Sequence, residues 1–169
     1  MITDDFTRRL PENEPTDPQN GRTRKEDARM KPYRRKVQYY ETDMMGVTHH
    51  ANYIRWMEEA RIDFMDQLGF PYARMEAEGV VSPVRSVECT YLKPCTFGDE
   101  IDIMVSVVSF NGVVLAIRYE MINAGSGEKL CTAGSEHVFL DREGHFVRLR
   151  RVMPEFCAAI GRLAGPSGA

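Results

Sequence analysis

The segment from Tyr39 to Tyr53 contains the residues whose types and spacing could do chemistry, and it reads YYETDMMGVTHHANY. It places the carboxylate of Asp43 in a loop that leads directly into the first turn of a predicted helix. That turn exposes backbone N–H groups that have no partner within the helix, and the helix dipole adds about half a positive charge there. Such donors stabilise a carbonyl oxygen as it becomes an oxyanion. The segment therefore predicts a site where a carboxylate acts beside a polarised carbonyl group.

A long helix must follow this loop. From about His49 to Leu68, apolar side chains recur at helical spacing, and Gly69 and Pro71 supply a stop signal. The apolar positions that define the pattern are Tyr53, Met57, Ala60, Phe64 and Leu68. The spacing predicts one long amphipathic helix that begins at the loop.

Strands are predicted on both sides of the helix. One runs from Tyr33 to Tyr40, and four follow at Val84–Leu92, Glu100–Phe110, Val113–Ile122 and Leu130–Leu140. Asn111-Gly112 predicts a tight hairpin between the third and fourth strands. The order predicts an α+β domain in which a curved, antiparallel, five-stranded sheet wraps around one helix, with the last four strands as a meander.

The composition indicates one ordinary globular domain. The chain has 169 residues, 22 Lys+Arg and 25 Asp+Glu, and a net charge of −3, so nothing in the charge balance calls for nucleic acid or a membrane surface. We expect a flexible polar leader over residues 1–30, the folded domain over 31–152, and a short C-terminal helix, Pro154–Leu163, with a frayed tail over 153–169. Met30 could be an authentic start, and the absence of a targeting pattern predicts a cytoplasmic location.

The four cysteines indicate no cofactor site. Cys89, Cys95, Cys131 and Cys157 form no C-x-x-C pair, which favours reduced structural thiols over a zinc site or a disulfide framework. We therefore predict no metal and no cofactor.

The loop-helix segment resembles the active-site motif of the 4-hydroxybenzoyl-CoA thioesterase family, and more closely its Tol-Pal-associated acyl-CoA thioesterase branch. The resemblance covers about Tyr33 to Leu140. It rests on a set of residues in the family's order: Tyr39, Asp43, Gly46-Val47, His50, Asn52-Tyr53, Tyr91-Leu92-Lys93-Pro94 and Gly98-Asp99. Several matches in the right order are more specific than one motif.

The resemblance implies a hotdog fold, an acyl-CoA thioesterase activity and a homodimer or homotetramer with active sites at subunit interfaces. It implies that Asp43 either attacks the thioester carbonyl or activates a water, while the backbone N–H of His50 polarises the carbonyl oxygen. The hydroxyl of Tyr39 would join Asp43 and His50. The implied substrate-binding residues are Gly46, Val47, Asn52, Tyr53 and Lys93, with Asn52 chiefly an anchor of the loop backbone.

Each of these residues also has a structural interpretation. Asp43 could cap the loop, His50 could be an ordinary first-turn residue, and Tyr39 could be a core aromatic. Other hotdog thioesterases carry their carboxylate on the helix, so Glu58 and Glu59 remain alternatives to Asp43.

The sequence departs from the hydroxybenzoyl enzyme at the turn where that enzyme binds the nucleotide end of CoA. A basic cluster is expected there, but this chain has Ser109-Phe110-Asn111-Gly112. Contacts to phosphate could come instead from four separate basic residues: Lys93, Arg118, Arg142 and Arg148.

Two other functional classes compete with a thioesterase. A hotdog hydratase would need a Gly-Asp-x-Asn-Pro-x-His arrangement, which this chain lacks. A non-catalytic module that binds acyl-CoA or acyl-carrier protein would need no Asp43, so the joint presence of Asp43, His50 and Tyr39 argues against it.

Overall fold

The computed structural model describes residues 30–164 of the 169-residue chain, so residues 1–29 of the predicted leader (1–30) and the last five residues of the predicted tail lie outside the described part. The first strand, β1, is Tyr33–Lys36, shorter than the predicted Tyr33–Tyr40. After it the chain bends into a 3-10 turn, Tyr39–Glu41. The turn forms because the buried carboxylate of Glu41 accepts a hydrogen bond from the Gln38 backbone N–H at 2.8 Å.

The long helix, α1, is His50–Gln67, within one residue of the prediction at each end. It ends at Gly69, whose φ of 80° is accessible mainly to glycine. A short helix, α2 (Tyr72–Ala77), follows and was not predicted. Pro71 is its N-cap, so this proline starts a helix as well as stopping one.

Five strands form one antiparallel sheet in the order β1-β3-β4-β5-β2. The bounds of the remaining strands are Val84–Tyr91 (β2), Glu100–Phe110 (β3), Val114–Asn123 (β4) and Lys129–Val138 (β5). The predicted meander of four strands is therefore wrong at its first member, because β2 pairs with β5 instead of β3. The segment after β2 crosses to the loop beside α1, where the Thr48 N–H donates to the Cys95 carbonyl at 2.8 Å, and so delivers β3 next to β1.

The hairpin predicted between β3 and β4 is present. The Asn111 N–H donates to the Val114 carbonyl, and the Asn111 side chain accepts from the N–H groups of Val113 and Val114. Gly112 has φ of 92°, so the turn is centred on Gly112 and Val113.

The core lies between α1 and the inner face of the sheet. Trp56, Ala60 and Phe64 of α1 are buried against the inner residues of the central strands, which are Ile101, Ile103, Leu115, Ile117, Tyr119, Met121 and Cys131. A further helix, α3 (Leu149–Val152), leads into α4, Pro154–Leu163. Phe156 of α4 packs against Phe70, Phe110 and Phe139, so the C-terminal helix belongs to the same core.

The two edges of the sheet differ. β1 offers four residues, of which Arg34, Arg35 and Lys36 are basic. β2 offers eight residues, and all but Cys89 are exposed. Within residues 30–164, no helix is long and apolar enough to cross a membrane.

Candidate active site

The loop that carries Asp43 is a closed turn. The Asp43 N–H donates to the Val47 carbonyl, and the Gly46 N–H donates to the Asp43 carbonyl, both at 2.9 Å. Oδ1 of Asp43 also accepts from the Met45 N–H at 2.8 Å. Gly46 has φ of 76°, which closes the turn without strain. The half-buried carboxylate is thus oriented through one oxygen, and no partner of Oδ2 is found in residues 30–164.

A buried charged network holds this loop on α1. The carboxylate of Glu41, 4% exposed, accepts from Arg35 at 2.6 Å and from the indole N–H of Trp56 at 2.8 Å. Arg35 also donates to Glu59 at 2.7 Å and lies over the Trp56 ring at 4.6 Å. Because each charged side chain is paired, the network fixes the start of the loop relative to β1 and α1.

Backbone contacts complete this attachment. The Glu41 carbonyl accepts from the His49 N–H and from the side-chain amide of Asn52, both at 2.8 Å. The buried Asn52 therefore anchors the loop backbone and does not line the cleft.

The first turn of α1 faces the same loop. His49 is the N-cap, and its Nδ1 accepts from the Ala51 N–H at 3.3 Å. The Tyr91 hydroxyl donates to the His50 carbonyl at 3.2 Å. Within the described residues, no partner is found for the His50 N–H, which leaves a backbone donor at the positive end of the helix dipole.

These elements enclose an open cleft of about 300 Å³. Five predicted site residues line it together: Asp43, Val47, His50, Tyr53 and Lys93. The cleft also includes Met45, Thr48, Tyr91, Leu92 and Pro94. A carboxylate, a helix N-terminus and an apolar wall therefore meet in one concave surface.

The inner wall of the cleft is held by a small polar cluster. The Tyr53 hydroxyl and the Cys95 thiol are 3.2 Å apart, and the thiol donates to the Thr48 hydroxyl at 3.2 Å. Burial raises the pKa of both Tyr53 and Cys95, which keeps these groups neutral. Burial, followed by the neighbouring Cys89, raises the pKa of Tyr91 to about 12, so its hydroxyl remains a donor.

Tyr39 and Gly46 do not line the cleft. The Tyr39 side chain is 78% exposed, and its ring packs edge-on against Phe97 at 5.8 Å. Tyr39 is therefore not a core aromatic residue, which was the structural alternative to a catalytic role. Gly46 shapes the turn that carries Asp43.

The alternative carboxylates lie elsewhere. Glu59 accepts from Arg35 and from the Tyr33 hydroxyl on the β1 side of the helix, and Glu58 is exposed. Among the four candidate phosphate contacts, only Lys93 reaches the cleft, and it also pairs with Glu128. In residues 30–164, no group of three or more His, Cys, Asp or Glu residues could hold a metal ion.

The sequence analysis missed Arg35, Glu41 and Trp56 as positioning residues. Glu41 stands only two positions before Asp43, but nothing in its spacing distinguishes a buried carboxylate from an exposed one. The one available signal was Trp56, the only tryptophan, on the apolar face of the predicted helix, where a buried indole N–H needs an acceptor.

Comparisons with known proteins place the chain in a family. Residues 37–160 match the model of the thioesterase-like superfamily. The chain is 36% identical over 124 residues to the putative acyl-CoA thioesterase YneP of Bacillus subtilis, which covers 73% of this chain and 89% of that protein. It is 30% identical over 89 residues to the acyl-CoA thioester hydrolase YbgC of Escherichia coli, covering 53% of this chain and 66% of that protein.

Among solved structures, the DHNA-CoA thioesterase of Staphylococcus aureus superposes with a TM-score of 0.75 at 31% identity, covering 78% of this chain and 89% of that one. The architecture is thus the hotdog fold that the motif resemblance implied. On the family match, the sequence relatives and the superposition, the chain belongs to the thioesterase-like superfamily.

Proposed function

We propose that this protein is an acyl-CoA thioesterase whose catalytic carboxylate is Asp43. The observation that carries the proposal is the cleft that Asp43 and His50 line together: it combines a half-buried carboxylate with a helix N-terminus whose first backbone N–H has no partner within residues 30–164. The thioesterase names of the relatives support the reaction class. The motif resemblance favours the branch of Tol-Pal-associated acyl-CoA thioesterases within the 4-hydroxybenzoyl-CoA family.

Two courses of hydrolysis fit this cleft. In one, Asp43 attacks the carbonyl carbon and the C–S bond breaks, giving a mixed anhydride and CoA thiolate, and water then hydrolyses the anhydride. In the other, Asp43 takes a proton from a water that attacks the carbonyl. Both release the free acid and CoA. In both, the His50 N–H stabilises the oxyanion, which is typically worth about 3 kcal/mol of barrier for one donor.

Binding would place the thioester at the cleft and the nucleotide outside it. Lys93 lines the cleft and could contact CoA once its ion pair with Glu128 opens. The exposed side chains of Tyr39, Tyr40 and Phe97 next to the loop support a homodimer or homotetramer with the cleft at an interface. In such an assembly Tyr39 would reach an active site across the interface.

A non-catalytic acyl-CoA binding module is the second candidate. The observation in its favour is the hydrogen bond from the Met45 N–H to Asp43, because a carboxylate that only closes a turn needs no other role.

Asp43→Asn separates the two functions. Asn can still accept the Met45 hydrogen bond but has no charge with which to attack a carbonyl or accept a proton from water. If Asp43 is catalytic, turnover in a thiol-release assay on a panel of acyl-CoAs should fall about 10²- to 10⁴-fold. Glu58→Gln is the matched control, since an exposed helix carboxylate outside the cleft should not affect the rate. A folded Asp43→Asn protein with normal turnover would refute the assignment.

A further inference from the structure

The first turn of α1 begins with the backbone N–H groups of His50, Ala51 and Asn52, a position where a helix offers its amides no internal partner. His49 satisfies two of the three. Its Nδ1 accepts from the Ala51 N–H at 3.3 Å, and its carbonyl accepts from the Asn52 N–H at 3.0 Å. Within residues 30–164, the His50 N–H alone of these three has no partner, and His50 is the residue that lines the cleft. His49 therefore decides which donor the cleft receives.

His49 is held in place through its own backbone. Its N–H donates to the Glu41 carbonyl at 2.8 Å, and its φ of −63° and ψ of 134° are the extended values of a residue that caps a helix. Glu41 is in turn fixed by Arg35 and Trp56. His49 is not among the residues that line the cleft, so any effect on a bound substrate has to pass through the turn that it caps.

One nitrogen of the imidazole makes this cap. Nδ1 can accept from the Ala51 N–H only while it carries no proton, so the contact requires the neutral tautomer with its proton on Nε2. A proton on Nδ1 would point at another donor. It would also bring a positive charge to the positive end of the helix dipole, beside the His50 ring at 4.1 Å. The cap therefore exists only with a neutral His49.

We propose that His49 is a positioning residue of the proposed thioesterase: by occupying the N–H groups of Ala51 and Asn52, it holds the first turn so that the His50 N–H is presented to the thioester carbonyl. The inference rests on the proposed function, because it assigns the group that orients the oxyanion donor. Such a donor must lie within hydrogen-bond distance of the oxygen on which negative charge develops, so fraying of this turn lowers turnover. Since the interaction strengthens as that charge develops, its loss lowers kcat more than it raises KM.

Two substitutions separate the acceptor of His49 from its ring. His49→Asn keeps an acceptor, because Oδ1 of asparagine is bonded to Cγ as Nδ1 is in histidine, but it loses the ring that lies against His50. His49→Phe keeps a ring and loses the acceptor. In a thiol-release assay on the best acyl-CoA of a panel, kcat should fall about tenfold in His49→Phe, the order of magnitude by which one N-cap shifts the equilibrium of a helix end, with KM unchanged. His49→Asn should keep most of the natural kcat.

The pH profile of kcat gives a readout that packing alone would not move. Histidine commonly takes up its proton between about pH 8 and 5, whereas the amide of asparagine does not titrate. As the pH falls, kcat of the natural protein should therefore fall more steeply than kcat of His49→Asn. The other ionisable groups around the first turn and the cleft are common to both proteins: Glu41, Asp43, His50, Arg55, Tyr91 and Lys93. The difference between the two profiles thus reports His49, and coincident profiles would contradict the proposal.

The cap can also be tested without substrate. In nitrogen NMR of the folded natural protein at neutral pH, Nδ1 of His49 should be unprotonated, and the Ala51 amide should exchange with solvent more slowly than in His49→Phe. A protonated Nδ1, or equal exchange of the Ala51 amide in the two proteins, would overturn the proposal.

Failure of the proposal is distinct from failure of the proposed function. A natural protein that hydrolyses no acyl-CoA would refute the proposed function. An active natural protein with a full rate in His49→Phe, or with a loss confined to His49→Asn, would refute the role of His49 alone. His145→Ala, at an exposed turn outside the cleft, is the control and should change neither kcat nor the pH profile.

Discussion

The indole N–H of Trp56 donates to Oε1 of Glu41 at 2.8 Å, linking the middle of α1 to the turn that precedes Asp43. The same oxygen of Glu41 accepts from Arg35 at 2.6 Å, so one atom joins β1, the turn and the helix. The position of the candidate active-site carboxylate therefore depends on a charge that never meets the substrate.

Removal of that charge should affect stability strongly. Glu41→Gln leaves Arg35, with 9% of its side chain exposed, paired only with the more exposed Glu59. We expect a loss of about 3 kcal/mol in the free energy of unfolding, measured in urea, as for other broken buried pairs. Trp56→Phe removes one neutral donor to Glu41, so the loss of that hydrogen bond should lower the free energy of unfolding by less than Glu41→Gln does. Glu58→Gln should leave the free energy of unfolding almost unchanged. Equal stability of Glu41→Gln and Glu58→Gln would contradict the role of the network.

The turn at Gly46 offers a matched glycine pair. Gly46 and Gly79 both have φ of 76°, and an added Cβ would meet no atom within 4 Å at either position. Alanine should therefore cost about 1–2 kcal/mol at both sites through backbone strain alone. Only Gly46→Ala should also lower kcat, because its N–H bonds the Asp43 carbonyl and so shapes the loop. Similar kcat values for the two variants would show that the turn does not position the carboxylate.

His137 should make the fold sensitive to mild acid. Burial first, and then the charge of Arg61, lowers its pKa from the usual value to about 4, so the unfolded chain takes up a proton at a higher pH than the folded one. Stability from this group is complete above about pH 6.5 and is lost as the pH falls towards 4, by up to about 3 kcal/mol. Urea unfolding of His137→Gln should lack this loss between pH 6.5 and 4. If the free energy of unfolding of the natural protein and of His137→Gln changes equally with pH, His137 is not the source of the acid sensitivity.

Assembly should depend on the apolar side chains beside the Asp43 loop. Phe97 is 59% exposed and supports the exposed ring of Tyr39. If this surface is an interface, Phe97→Glu should shift sedimentation towards the 19.3 kDa chain and lower the activity. Val113→Glu, at the exposed hairpin between β3 and β4, is the control and should change neither. An active monomer of the natural protein would refute the interfacial site.

The helices and strands whose apolar residues recur with a regular spacing were predictable from sequence. The bounds of β3 agree with the prediction at both ends, and those of α1 agree within one residue, because apolar alternation and helical spacing reflect burial directly. The hotdog fold implied by the motif is confirmed, and the chain belongs to the thioesterase-like superfamily, whereas the narrower 4-hydroxybenzoyl-CoA family and its Tol-Pal branch stay a prediction. The end of β1 was wrong because the turn at Tyr39–Glu41 is imposed by the tertiary contacts of Glu41.

The site was predictable only where its residues are consecutive. Asp43, Val47, His50 and Tyr53 share one loop and one helix turn, so their proximity follows from local structure. Arg61 and His137 lie 76 positions apart in the chain, and no local pattern brings them together. A charged residue on an apolar helix face looks the same in a sequence whether it reaches water or stays buried.

The unequal edges of the sheet limit how copies of this chain could join by strand pairing. The β2 edge is long enough to align a second strand, whereas the β1 edge is only four residues long and exposes the charged side chains of Arg34 and Lys36, which disfavour strand pairing. Two chains that pair β2 with β2 around a two-fold axis would leave only the basic edges at the outside. Growth by strand pairing would therefore terminate at a closed pair.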